Sequence, residues 1–153
     1  MSRDARGRPR PSRRRSRELA LQGLYQWLVA GSSPGSIREE LAESSGFAKC
    51  DEPFFDALWR GVTSDFDAMI ASVAPYLDRP AVQLSPIEKS VLAIGAWELT
   101  REAETPYRVA INEAVELAKR FGGTDGHKYV NGVLDKLAAA TRAAEVSAGR
   151  TAG

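Results

Sequence analysis

The residues of this chain best suited to binding chemistry cluster at its amino end. Residues 1–17 hold eight arginines (Arg3, Arg6, Arg8, Arg10, Arg13, Arg14, Arg15 and Arg17) against one acid, Asp4. That segment carries +7, so the remainder of a chain with a formal net charge of +1 carries −6. A basic arm on an acidic body suits a polyanionic partner; the bland alternative is a solvated tail with no target. Guanidinium groups present planar forks of donors that match phosphate oxygens and stack on bases. Arg13 and Arg17 stand at i and i+4, one helix face, and Arg14 broadens it. By itself such a segment also fits DNA or an acidic protein.

A second set lies at residues 119–129, where Lys119, Arg120, His127, Lys128 and Tyr129 mix cations with rings. Such interleaving suits single-stranded RNA, whose splayed bases stack on aromatic side chains. The plain alternative is that Tyr129 faces the core and the lysines are solvated. Asp125 is an acid inside this set, placed to cap a helix. Nothing comparable points to catalysis. His127 is the only histidine and Cys50 the only cysteine, which leaves no Cys–His pair, no multi-histidine metal site and no disulfide. Gly122-Gly123-Thr124-Asp125-Gly126 follows a helix, not a strand, so it reads as a helix end joined to a helix start instead of a phosphate loop. No cofactor is called for, and the single thiol suits a reducing cytoplasm.

The elements that carry these residues read as helices. Ser12 is a good N-cap for a helix to about Ala30, with Leu21, Leu24, Tyr25 and Leu28 as its buried stripe. A break at 31–35, a short helix near 37–43 and a loop to Pro53 follow. Phe55, Leu58, Trp59, Val62, Phe66, Met69, Ile70 and Val73 then trace one long helix that Pro75 disrupts. Ser85-Pro86-Ile87-Glu88 combines an N-cap, a proline at the first helical position and a capping-box glutamate. The helix from there to about Arg101 is apolar nearly all round, which marks a central element. Thr105-Pro106 starts another by the same logic, and Thr124 or Asp125 caps the last, with its stripe at Val130, Val133, Leu134, Leu137 and Ala138. Gly23, Gly61, Gly95 and Gly132 inside helices imply close helix–helix approach.

The expected fold is all-α, a compact bundle of six to seven helices. Its organisation is a disordered basic arm at 1–12, a helical domain at 13–142 and a flexible tail at 143–153. No apolar run is long enough to span a membrane, and no apolar stretch follows the arginines as a secretory signal requires.

Two long segments carry a family likeness. Pro106-Tyr-Arg-Val-Ala-Ile-Asn-Glu-Ala-Val-Glu-Leu-Ala-Lys119 and Lys128-Tyr-Val-Asn-Gly-Val-Leu-Asp-Lys136 resemble the signature of the NusB family. Arg13-Arg-Arg-Ser-Arg-Glu-Leu-Ala20 and Glu88-Lys-Ser-Val-Leu92 resemble it at the expected places. The likeness spans about Arg13 to Arg142; the arm before Ser12 and the small-residue tail depart from it. The resemblance implies two packed three-helix bundles and a non-enzymatic transcription antitermination factor. Such a factor binds boxA-type single-stranded RNA in ribosomal RNA leaders together with NusE, a small-subunit ribosomal protein. NusA, NusG and RNA polymerase complete the larger complex, and some members self-associate as homodimers. On matching positions, Arg13, Arg14, Arg17, Asp125, Lys128 and Tyr129 would meet RNA, and Tyr25 and Glu88 would meet NusE. The alternative is a domain related to those that precede rRNA cytosine methyltransferases, here without the catalytic domain.

Overall fold

The computed structural model describes residue 7, residues 10–123 and residues 126–152. Eight α-helices follow in order: α1 Arg13–Ala30, α2 Pro34–Ala42, α3 Glu52–Ser64, α4 Phe66–Val73, α5 Pro86–Arg101, α6 Tyr107–Phe121, α7 Gly126–Thr141 and α8 Ala143–Ala152. Short 3-10 turns occupy Phe47–Lys49, Ala74–Tyr76 and Ala81–Gln83. Among the described residues there is no strand, only an isolated parallel bridge between Ser12 and Cys50. The all-helical class is as the sequence implies, but the helices among the described residues number eight instead of six or seven. The arm expected at 1–12 lies largely outside the described residues.

Two local events account for the count. The stretch expected as one helix from Phe55 to Val73 breaks at Asp65. Ser64 Oγ donates to the Arg60 carbonyl at 2.6 Å, a back-bond that competes with the helix ladder. Asp65 leaves helical geometry at φ −126° and ψ 33° and pairs with Arg101 at 2.6 Å. The second event is α8, which occupies the segment expected to fray.

The chain divides into two compact units, Met1–Trp59 and Arg60–Gly153. The first unit holds α1, α2 and the start of α3. Ser12 caps α1 by accepting from the Arg15 amide, and Gly31, at φ 72°, closes it in the left-handed region. Leu21, Leu24, Ile37, Phe55 and Leu58 form its fully buried centre. An added Cβ at Gly23 would come within 2.7 Å of the Trp59 ring, so glycine there sets how closely α1 and α3 approach. Of the expected α1 stripe, Leu21 and Leu24 are buried, Leu28 is half-buried, and Tyr25 is 45% exposed. Tyr25 therefore leaves the stripe: the buried face turns toward Ala20 and Gly23 instead. Arg38 of α2 grips the start of α3 through Asp56 at 3.0 Å and Glu52 at 2.9 Å. The Asp56 and Glu52 carboxylates hold its guanidinium above its ordinary pKa.

In the second unit α5 is central, as expected. Its ten residues from Ser90 to Leu99 are all buried, and it packs on α4, α6 and α7. Gly95 lies under Leu134, 2.5 Å from where its Cβ would stand, and Gly61 sits against the Trp97 indole. Gly132 borders open space, so the close approach expected there is absent. The expected cap at Thr105 is also replaced. Glu145 of α8 reaches the start of α6 and accepts from the Tyr107 amide at 2.7 Å. Arg142, between α7 and α8, donates to the carbonyls of Leu99 at 2.8 Å, Glu98 at 3.0 Å, Glu102 at 2.9 Å and Thr105 at 3.1 Å. A cation there supplies donors to carbonyls at the end of α5 and just beyond it, of which Glu98 O and Glu102 O also have a main-chain donor. No helix among the described residues is long and apolar enough to cross a membrane.

Candidate nucleic-acid interface

The arginine-rich start of α1 is built on a main-chain lock. The Ser12 amide donates to Lys49 O at 2.9 Å, and the Asp51 amide to Ser12 O at 3.2 Å. Ser16 Oγ adds a bond to Asp51 O at 2.8 Å. The first turn of α1 is thereby pinned to the 49–51 loop, which fixes where its side chains point. Cys50 is enclosed in this lock. Burial pushes its thiol up from the ordinary range, the opposite of what a nucleophilic cysteine needs.

The motif residues divide by direction. Arg13 and Arg17, on one helix face as expected, both stack on the Phe54 ring, at 4.5 Å and 5.0 Å from its centroid. Arg13 is exposed and pairs with Asp51 at 3.4 Å. Arg17 is only 3% exposed. Its guanidinium is taken into the fold, where its stem and ring stacking contribute packing. Arg14 is exposed, and with Arg10, Arg15 and Lys49 it lines a cleft of about 550 Å³ beside Pro11 and Glu18. Arg10, Arg15 and Lys49 were not among the expected site residues. Lys49 lies far from the motif in sequence, and only the Ser12–Cys50 pairing brings it there.

In the second unit Lys128 is exposed, while His127 and Tyr129 are half-buried. The two readings of Tyr129 thus merge: part of its ring is covered and part reaches solvent. Arg79 stacks on that ring at 4.7 Å and pairs with Asp78 at 2.7 Å. The Asp78 amide donates to Tyr129 Oη at 3.3 Å. Burial raises the Tyr129 phenol above its ordinary pKa, and the Arg79 bond holds the Asp78 carboxyl below its own. Arg79 is a residue that sequence reasoning missed; an isolated arginine before a proline gives no signal until Tyr129 is placed beside it. Asp125, with the caps expected at 124–125, lies outside the described residues.

The two residues expected at a protein partner have different settings. Tyr25 is exposed, with Val29 one turn on and 58% exposed. Glu88 completes its capping box, its Oε1 accepting from the Ser85 amide at 2.9 Å. It also borders a cavity of about 370 Å³ walled by Val91, Ala118, Phe121 and Val130. No group of histidine, cysteine and carboxylate side chains among the described residues could hold a metal.

Comparison with known proteins agrees with this architecture. A model of the NusB family matches residues 14–139. The chain is 58% identical over 139 residues to the transcription antitermination protein NusB of Paraburkholderia phytofirmans, covering 91% of this chain and 96% of the relative. It is 54% identical over 142 residues to the same-named protein of Ralstonia nicotianae, covering 93% and 92%. Among solved structures, T. maritima NusB matches with a TM-score of 0.74 and 28% identity over 84% of this chain and 92% of that one. A structure of the antitermination factors NusB and NusE in complex with dsRNA shares the fold, with a TM-score of 0.72 at 22% identity over 84% and 96%. The chain therefore belongs to the NusB family, a family of transcription antitermination proteins and not of enzymes.

Proposed function

We propose that this chain binds boxA-type single-stranded RNA in the leaders of ribosomal RNA operons and does so together with NusE. In this reading NusA, NusG and RNA polymerase join the complex, which acts in the cytoplasm to suppress premature termination. The observation that carries the reading is the exposed cationic first turn of α1, fixed to the 49–51 loop, in a chain of this family. Cations held in place by main-chain bonds meet a phosphate backbone with little ordering left to do. Lys128 and the part-exposed Tyr129 ring supply a point charge and a stacking platform of the kind that single-stranded RNA uses. Tyr25 and Glu88 are assigned to NusE, on the exposure of the first and the position of the second beside a cavity.

The methyltransferase-related alternative has no observation in its favour. The relatives above are matched over 92–96% of their own length, so the likeness is to antitermination proteins of about this size.

The deciding experiment is a titration of the protein with a single-stranded boxA RNA, a scrambled strand and a duplex, each with and without NusE. Tighter binding of the boxA strand, strengthened by NusE, is expected. Equal affinity for all three RNAs, unaffected by NusE, refutes the reading.

A further inference from the structure

The first turn of α1 meets an acid as well as cations. Asp51, just before α3, is engaged through its main chain and through both carboxylate oxygens. Its amide donates to Ser12 O at 3.2 Å and to Ser16 Oγ at 3.0 Å, and its carbonyl accepts from Ser16 Oγ at 2.8 Å. Its Oδ1 accepts from the Phe54 amide at 3.1 Å, the bond of a helix N-cap. Its Oδ2 accepts from Arg13 Nε at 3.4 Å. A cap needs an acceptor and not a charge, since asparagine and serine cap about as well as aspartate. The negative charge of Asp51 is therefore surplus to the start of α3, yet the cap and the main-chain bonds hold it beside Arg13. The ion pair itself is loose. Charge-assisted N–H···O bonds run to about 2.7–2.9 Å, and at 3.4 Å, with side chains 47% and 24% exposed, this one adds little to stability. The Phe54 ring covers one face of the same guanidinium, 4.5 Å from its centroid. With a ring on one face and a carboxylate at Nε, Arg13 has one orientation. A phosphate that takes its Nε edge with two parallel bonds must displace Asp51. A phosphate that takes the outer edge lies close to that carboxylate and is repelled by it.

We propose that Asp51 is a built-in competitor for the RNA backbone, its carboxylate holding the Nε edge of Arg13 and setting RNA affinity below what the arginine would give alone. The inference rests on the RNA-binding reading above. It adds a residue which that reading leaves out, with an effect opposite in sign to that of the arginines. The opposite role, in which Asp51 aids RNA by presenting Arg13 in the right pose, predicts the reverse change when the charge is removed. Competition is the stronger reading because the stack on Phe54 already orients Arg13, while the carboxylate stands on one of the edges that a phosphate would use.

The test titrates the full-length chain with labelled single-stranded boxA RNA across a salt series. The proteins are the unaltered chain, the neutral capping variants Asp51→Asn and Asp51→Ser, Arg13→Ala, the double variant Arg13→Ala with Asp51→Asn, and Glu39→Gln, which removes an exposed carboxylate from α2. Thermal melting checks that each is folded. Both Asp51 variants are expected to bind RNA about two- to fivefold more tightly at low salt, a gain that fades as salt rises. Their salt slope should steepen by up to about 0.7, the share of one single-strand phosphate contact that Asp51 no longer neutralises in advance. A gain of this kind is not what damage to the fold produces. Arg13→Ala should weaken binding, and in that background Asp51→Asn should gain less. Glu39→Gln should match the unaltered protein. Unchanged affinity in a folded Asp51 variant overturns the proposal, and weaker binding overturns it in favour of a positioning role. An equal gain in Glu39→Gln, or an undiminished gain without Arg13, reduces the effect to net charge and also overturns it. Unaltered binding in Arg13→Ala takes Arg13 away from the RNA and the competition with it. Failure of the unaltered protein to bind any RNA removes the parent reading instead, and this inference falls with it.

Discussion

Replacing Arg142 by alanine should destabilise the protein far more than a typical surface change, without touching the RNA site. The side chain is 9% exposed and serves four carbonyls at the end of α5 and beyond. Two of those keep a main-chain donor after truncation: Glu98 O has the Glu102 amide at 3.3 Å, and Glu102 O has the Thr105 amide at 3.2 Å. The loss therefore falls on Leu99 O and Thr105 O, which belong to residues that are 2% and 4% exposed. Leaving a buried acceptor without a donor costs about 1–3 kcal/mol each. The half-exposed pair with Glu145 adds little, because solvent screens it. The expected loss is about 3 kcal/mol, which for a chain of this size lowers Tm by roughly 6–12 °C. Arg142→Lys has no planar fork and should recover no more than about half of the loss. Urea and thermal denaturation of the full chain measure both variants. A loss under about 1 kcal/mol at unchanged m-value would refute the reasoning, since it would mean that water already reaches these carbonyls.

Other expectations can be measured in the same way. Arg17→Ala should lower the unfolding free energy measured in urea by about 1–3 kcal/mol through lost packing on Phe54, while Arg14→Ala should change stability little and flatten the RNA salt slope; equal stability in the two variants would contradict the division of the motif. Glu88→Lys removes the capping box, costing about 1 kcal/mol, and should also abolish NusE binding in a folded protein; normal melting with NusE binding retained would remove Glu88 from that surface. Glu145 is held below its ordinary value of 4.5, first by the Tyr107 amide and then by Arg142. Its folded-state pKa is depressed, so its contribution is full above about pH 4.5 and is lost as pH falls through the lower folded value. Glu145→Gln should therefore show a flatter stability profile below pH 4.5 than the unaltered protein, and identical profiles would refute the assignment. Asp125→Asn should strengthen RNA binding by about 1 kcal/mol or less, most visibly at low salt; equal affinities would take Asp125 away from the RNA.

Much of the fold was readable from periodicity and caps. The Ser85 capping box, the all-round apolar run of α5 and the stripe of α7 are local signals, and local signals survive folding. The break at Asp65 was not readable, because the apolar spacing of Phe55, Leu58, Trp59 and Val62 before it continues through Phe66, Met69, Ile70 and Val73 after it. What marks the break is a back-bond at Ser64 and an ion pair to Arg101, distant in sequence. The helix after Arg142 was hidden for a related reason: its small residues have weak periodicity, and its anchors are Arg142 and Glu145, whose partners lie on α5, α6 and the segment between them. For the candidate site, the arginine motif stood out by composition, but composition does not say which arginines face water. Phe54 claims Arg13 and Arg17 only once the loop is folded back on α1. Lys49 and Arg79 were invisible because each is ordinary in its own segment and is made relevant by a tertiary contact.

The pairing of Ser12 with Cys50 has a consequence for motion. The amides of Ser12 and Asp51 donate to bonds that cross between two segments nearly forty residues apart in the chain, and the Asp51 amide also reaches Ser16 Oγ at 3.0 Å, so parting the two segments exposes both amides together. Hydrogen exchange at these positions should then proceed as one cooperative event, with a single opening free energy and not two. A ligand seated on the cationic first turn would slow exchange at Asp51 as much as at Ser12. The loop would thus register occupancy of the helix start, and an isotope label there would report binding at a residue that carries no basic side chain of its own.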